Sequence, residues 1–325
     1  MDIARELPAA ALAGEPTPSA LANPVARYFL ATRPPFLLVT LGACLVGLAT
    51  AFASGAPIAA LTATVTVAFA LVAHAGANVL NDYYDSVSGN DAANTERIFP
   101  FTGGSRFIQN GVLSERQTLV FGAALVGATI AAGLWLVTIS GPELVFIGAA
   151  GLFIGWAYSA TPLRLNSRGW GEACIWAAWT IVAAGADYVQ RGAPSPLPFI
   201  AAAGYALLVT NVLFINQFPD RRADEAAGKR HWVVRLGVDR ASRLYPAIAI
   251  AANACVILAV AAGALHAYAL AALLALPLSV AAARTLHRNR HEVARLAPAI
   301  QATIAAALLH AVLLSAGIAL SRFAA

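Results

Sequence analysis

In the stretch NVLNDYYDSVSGND, residues 78–91, the carboxylates Asp82, Asp85 and Asp91 alternate with the amides Asn78, Asn81 and Asn90. Asn78, Asn81, Asp82 and Asp85 fall at i, i+3, i+4 and i+7, so a helix would carry all of them on one face. His74 extends that face by a turn and is read as a packing residue rather than a metal ligand. A second set lies far downstream in NQFPDRRAD, where Asn216, Asp220 and Asp224 fall at i, i+4 and i+8. Pro219, which cannot donate a helical hydrogen bond, is predicted to kink or end the helix there. Oxygen donors of this kind suit Mg²⁺, which takes one or two carboxylates and completes its shell with water and phosphate oxygens. Two such sets facing one another could hold a diphosphate between them through bridging metals. The plainer reading is solvated loop acids balancing nearby arginines. It accounts for either set alone, but not for amides one turn earlier in both.

The elements that must position these residues are membrane helices. The chain is 59% hydrophobic and 11% charged with a mean hydropathy of +0.70, far from the balance of an ordinary soluble domain. Apolar stretches near the ~20 residues that span a bilayer recur at about 35–54, 59–80, 117–139, 143–160, 170–188, 197–217, 245–265, 267–283 and 297–320. The expectation is an all-α polytopic membrane protein with nine transmembrane helices. The fifth stretch contains Glu172 and Asp187 and the eighth contains Pro277, which makes them the weakest of the set. Lys and Arg concentrate in alternate connections, with Arg191 and Arg322 alone on the other side. Since basic residues mark cytoplasmic loops, the N-terminus is predicted inside and the C-terminus outside. Both acidic sets then lie where an even-numbered helix reaches the cytoplasmic side, at helix C-termini, where the helix dipole disfavours negative charge and calls for a positive partner.

The net charge of +5 follows from this loop bias and from phosphate binding, not from a nucleic-acid surface. Cys44, Cys174 and Cys255 fall inside apolar spans, where thiols act as small hydrophobes, and their spacing suggests neither a disulfide framework nor a zinc site. Residues 1–28 lack the apolar core of a signal peptide and read as a mobile cytoplasmic tail, leaving 29–325 as the nine-helix domain. Long polar connections are expected at 86–116 and 218–243. The triplet NVL occurs at 78–80 and again at 211–213, each time shortly before an acidic set, a faint sign of internal duplication.

With these residues in view, NVLNDYYDSVSGND, GGSRFIQNG (103–111), YSATPLRLNSRGWGE (158–172), DYVQRG (187–192) and NQFPDRRADEAAGKRHWVVRLG (216–237) resemble the UbiA superfamily of intramembrane prenyltransferases. The resemblance is to its 1,4-dihydroxy-2-naphthoate prenyltransferase branch in particular. It implies a polyprenyl diphosphate donor, an aromatic acceptor, Mg²⁺ as cofactor, the lipid bilayer as setting and the active site toward the cytoplasm of the cell membrane. It also implies metal or catalytic roles for Asn81, Asp82, Asp85, Asp220 and Asp224, with Asn78 and Asn216 beside the substrate. The family's further acid is replaced by Gly89 here, and Asp91 is expected to substitute for it. Arg97, Arg106, Arg164 and Lys229 lie in the resembling motifs as candidates for the diphosphate, because a guanidinium fork fits phosphate oxygens. Cytoplasmic arginines also fix topology and meet anionic lipid. Tyr158 matches a family tyrosine near the diphosphate or serves as an interfacial anchor. Arg33 either meets an acceptor carboxylate or secures a helix end.

The reaction so implied is departure of diphosphate and attack of an electron-rich ring on the allylic cation, with loss of CO₂ in the naphthoate branch. Other acceptors (4-hydroxybenzoate, a chlorin, a glycerol lipid) and an intramolecular cyclisation remain open within the family. A membrane transporter is the rival of another class, but its acids should lie near the midplane.

Overall fold

Helix boundaries in the chain follow from local chemistry. In the computed structural model, which describes residues 14–324, every regular element is helical. The helices are α1 (Pro24–Ala31), α2 (Pro34–Ala53), α3 (Ala60–Val87), α4 (Asn90–Ala93), α5 (Glu115–Ser140), α6 (Leu144–Ser159), α7 (Gly171–Arg191), α8 (Leu197–Ala226), α9 (Trp232–Ala261), α10 (Leu276–Asn289) and α11 (Ala297–Ser321). Asn23 caps α1 through its side chain, and Ser114 and Gln117 form a reciprocal capping box at the start of α5. Proline opens α2, α8 and α11, where its missing N–H costs nothing. A 3₁₀ segment, Ala267–Ala275, leads into α10.

Seven of the helical segments are long and apolar enough to cross a membrane. The other two expected spans are helical as well. Leu144–Ser159 is shorter, at 16 residues, and Gly171–Arg191 carries Glu172, Asp187 and Arg191. The bundle is therefore that of a multi-pass membrane protein.

Three expectations change. First, the polar connection expected at 86–116 contains a short helix, α4, which carries Asp91, while the other acids sit on the last turns of α3 and α8, as expected. Pro219 lies inside α8 and does not end it. Second, the connection expected at 218–243 contracts to residues 227–231, because α9 starts at Trp232 and breaks only locally at Gly237, whose φ is 72°. Third, residues 14–28, expected within a mobile tail, are anchored at two points: Leu21 joins Ala31, Phe107, Val112 and Leu113 in a small apolar cluster, and Glu15, 6% exposed, pairs with Arg97. The remainder of that tail, residues 1–13, lies outside the described residues.

The centre of the bundle is α8, whose spanning window is 72% buried, against 17% for α3 and 11% for α5. Close approach relies on small residues. A β-carbon at Gly47 of α2 would lie 2.1 Å from the Ala183 carbonyl of α7, and one at Gly204 of α8 would lie 2.4 Å from the Ala252 carbonyl of α9. Near the opposite end, Asp187 of α7 is 1% exposed. Arg191 donates to both of its oxygens at 2.7 Å and Thr50 of α2 donates to it at 2.8 Å. The acid that weakens the fifth predicted span is thus a buried clamp between α2 and α7.

Candidate active site

The ends of α3 and α8 meet beneath the polar connection that joins α3 to α5. Asp82 Oδ1 accepts from the Ser105 backbone N–H at 3.2 Å. Asp220 accepts from the Asn94 amide at 2.6 Å and from the Gly103 backbone N–H at 3.2 Å. One loop is thus tied to both acidic sets. Lys229, just past α8, bridges them directly, with Nζ 2.8 Å from Asp85 Oδ2 and 3.5 Å from Asp224 Oδ1. Burial opposes its charge, but Asp85 and Asp224 outweigh that and raise the ammonium well above its ordinary value. The positive partner demanded at these helix ends is therefore supplied in part by the chain itself.

Asp91 joins the set from α4. It is 2% exposed, its Oδ2 is buried without a hydrogen-bond partner, and burial together with the charges of Asp85 and Asp82 holds it well above the usual carboxylate range. Gly104 makes this approach possible: its φ is 72°, and a β-carbon there would lie 2.6 Å from Asp91 Oδ2 and 3.1 Å from Asp82 Oδ1. A carboxylate oxygen with no donor, pressed among like charges, fits a site built to receive a cation. Among the described residues, no three His, Cys, Asp or Glu side chains already close around a single point. That suits Mg²⁺ drawing part of its shell from a phosphate better than a pre-formed protein cage.

The expected cations divide. Arg106 is fully buried, with φ at 66°; it donates to the Asp91 carbonyl, while its Nε and Nη2 have no partner. Burial and neighbouring Arg97 lower its proton affinity. Arg97 is also buried, but its guanidinium is taken by Glu15 at 2.5 Å and by the Asn94 carbonyl at 2.6 Å. Arg33 caps α2 with φ at 58°, lies 4.8 Å over the Phe36 ring and reaches the Phe101 carbonyl at 3.4 Å, with Nε buried and unpaired. Arg164 sits at a bend before the 3₁₀ turn Leu165–Arg168, and among the described residues its side chain makes no hydrogen bond or ion pair.

The amides are placed around the acids. Asn78 donates to the Thr32 carbonyl at 3.1 Å, and Asn81 donates to Ser159 Oγ at 2.9 Å, joining α3 to the end of α6. Asn216 Oδ1 is buried and unpaired. Tyr158, one residue before Ser159, lies within electrostatic reach of Lys229, Glu172 and Asp85. His74 accepts or donates through Nδ1 to Thr40 at 2.8 Å and packs edge-on against Trp179, the packing role expected of it.

Sequence reasoning missed Asn94, Glu15 and His231. His231 Nδ1 accepts from the Val234 N–H at 3.4 Å, so its proton is on Nε2, which donates to Asp224 at 2.9 Å. Its place seven residues after Asp224 was the only available signal.

An all-helical membrane bundle that gathers acids and amides from two helices under one polar loop is the architecture of an intramembrane prenyltransferase. The chain belongs to the UbiA prenyltransferase family, which it matches over residues 40–305. It is 29% identical to the 1,4-dihydroxy-2-naphthoate octaprenyltransferase of Escherichia coli over 90% of this chain and 95% of that protein. It is also 29% identical to the enzyme of the same description from Mycobacterium leprae, over 69% and 72%. Among solved structures, a UbiA homolog from Archaeoglobus fulgidus bound to DMAPP and Mg²⁺ superposes with a TM-score of 0.57 at 16% identity, covering 89% of this chain and 99% of that one. A UbiA homolog from Aeropyrum pernix gives 0.56 at 20% identity, over 86% and 96%. These two likenesses concern the fold.

Proposed function

We propose that this prenyltransferase moves a polyprenyl group from a polyprenyl diphosphate to 1,4-dihydroxy-2-naphthoate, a step of menaquinone biosynthesis, with Mg²⁺ as cofactor. In this reading the chain crosses the cell membrane nine times, with residues 29–325 as the catalytic domain and the site on the cytoplasmic side. The observation that carries it is the single loop tied to Asp82 and to Asp220, which brings two oxygen-rich helix ends to one place. The naphthoate relatives support the acceptor, and the homolog bound to DMAPP and Mg²⁺ supports the donor and the metal.

Asn81, Asp82, Asp85 and Asp91 from one side, and Asp220 and Asp224 from the other, are the residues that would hold magnesium. When bound, it supplies charge that stabilises the departing diphosphate. Arg106 offers two unpaired N–H groups to phosphate oxygens, and Lys229 adds a fixed ammonium between the acids. His231 and Asn94 hold Asp224 and Asp220 in place. The apolar bundle below shelters the allylic centre from water.

The test is direct. Purified protein in lipid nanodiscs, given labelled polyprenyl diphosphate, Mg²⁺ and a panel of acceptors, should prenylate the dihydroxynaphthoate with concomitant loss of CO₂. Transfer only to 4-hydroxybenzoate, a chlorin or a glycerol lipid would reassign the acceptor. Absence of transfer to any of them would overturn the reading.

A further inference from the structure

Glu172 is a carboxylate that the fold uses through one oxygen only and that the diphosphate site does not use. It lies in the first turn of α7, where the helix dipole favours an anion. Its Oε1 accepts from the Gln217 amide at 2.9 Å, while Oε2 is buried with no partner. Gln217 is 7% exposed and its own Oε1 is likewise unpaired. It stands on α8 between Asn216 and Asp220, and so carries Glu172 to the second acidic set. Toward the first set, a β-carbon on neighbouring Gly171 would lie 3.6 Å from the ring of Tyr158, and the next residue, Ser159, accepts from Asn81 at 2.9 Å. Glu172 is therefore on the wall between the two sets, with one oxygen fixed and the other lacking the donor that a buried carboxylate requires.

We propose that Glu172 binds the hydroxyl of the aromatic acceptor through Oε2 and takes its proton during transfer, an assignment that rests on the prenyl-transfer reading above. As the ring carbon bonds to C1 of the prenyl group, the C1–O bond breaks and its electron pair leaves with diphosphate. The hydroxyl proton passes to Glu172, which leaves a ring ketone. For an acceptor bearing hydrogen at the attacked carbon, that proton then goes to the departing diphosphate, and Glu172 returns its own proton to the ring oxygen. For an acceptor bearing a carboxylate there, CO₂ leaves instead, the electron pair of the broken C–C bond restores the aromatic ring, and Glu172 returns its proton to the ring oxygen. Gln217 is a positioning residue that aims the carboxylate.

Glu172→Gln keeps the hydrogen-bonding shape but cannot accept the proton. Full-length wild-type and variant protein in nanodiscs are compared on ring-substituted 1,4-dihydroxy-2-naphthoates whose hydroxyls differ in acidity. The ratio of wild-type to variant kcat cancels the intrinsic reactivity of each ring. The expected ratio is about 100-fold for the least acidic hydroxyl, shrinking steadily as the hydroxyl becomes more acidic. Binding of labelled prenyl diphosphate with Mg²⁺, measured without acceptor, should be unchanged in the variant. A ratio that is the same for every acceptor, or below about threefold throughout, overturns the assignment. If Glu172→Gln does not accumulate as folded protein, Glu172→Asp, which retains a retracted base, carries the same comparison, and a flat profile again overturns it. Failure of the wild-type chain to bind prenyl diphosphate would instead overturn the prenyl-transfer reading itself, and is distinguishable because that measurement contains no acceptor.

Discussion

Asp82 and Asp220 each do two jobs: each presents carboxylate oxygen to the site and each receives a backbone N–H from the overlying loop. Asp82→Ala or Asp220→Ala is predicted to lower prenyl transfer by at least about 100-fold, the scale of losing one group that stabilises transition-state charge. The protein should remain inserted in the membrane and elute as the wild type does. Turnover near that of the wild type in either variant would remove these residues from the site. Gly104→Ala places a β-carbon 2.6 Å from Asp91 Oδ2 in a left-handed backbone conformation that costs a non-glycine residue about 1–2 kcal/mol. Transfer should fall sharply, and the loss should appear in the Mg²⁺ dependence, because the displaced group is the carboxylate without a donor. The acids and amides were legible in the sequence because helical spacing alone puts them on one face. Their tertiary partners were not. Glu15 reaches Arg97 across 82 residues and Asn94 reaches Asp220 across 126, and no local pattern encodes separations of that size.

At the scale of elements, the apolar runs predicted where helices occur but not where they stop. Hydropathy marks the portion that faces lipid. The α-helical hydrogen-bond ladder has no reason to end at the same residue, so α3 and α8 run on to Val87 and Ala226 and carry their acids with them. Nor does hydropathy place Asp187: its partners Thr50 and Arg191 come from two helices, and only packing reveals that the charge is buried. Asp187→Ala leaves Arg191 without its carboxylate and should destabilise the bundle by about 3 kcal/mol. The readout is a lower midpoint of thermal inactivation in detergent, with activity per folded molecule retained at low temperature. Gly47→Ala forces a methyl group into the Ala183 carbonyl across the α2–α7 contact. It should lower the same midpoint without changing the affinity for prenyl diphosphate.

For the molecule as a whole, the proposed topology places the face rich in Lys and Arg on the cytoplasmic side, and the accessibility of two loops tests it. The loop between α8 and α9 and the loop between α7 and α8 lie on opposite faces in this reading. Gly228→Cys should react with a membrane-impermeant thiol reagent only after sealed, right-side-out membrane vesicles are permeabilised, whereas Ala193→Cys should react in intact ones. Both positions are exposed; the native Cys44 and Cys174 are buried, and the partly exposed Cys255 is replaced by alanine to keep the background low. The reverse labelling pattern would invert the molecule.

The connection tied to Asp82 at one point and to Asp220 at another makes the two halves share a fate. Releasing either anchor frees the same stretch of chain, so the damage is already done when the second is cut. Energies of residues linked through a common partner do not add, and the combined Asp82→Ala, Asp220→Ala protein should be scarcely worse than either parent.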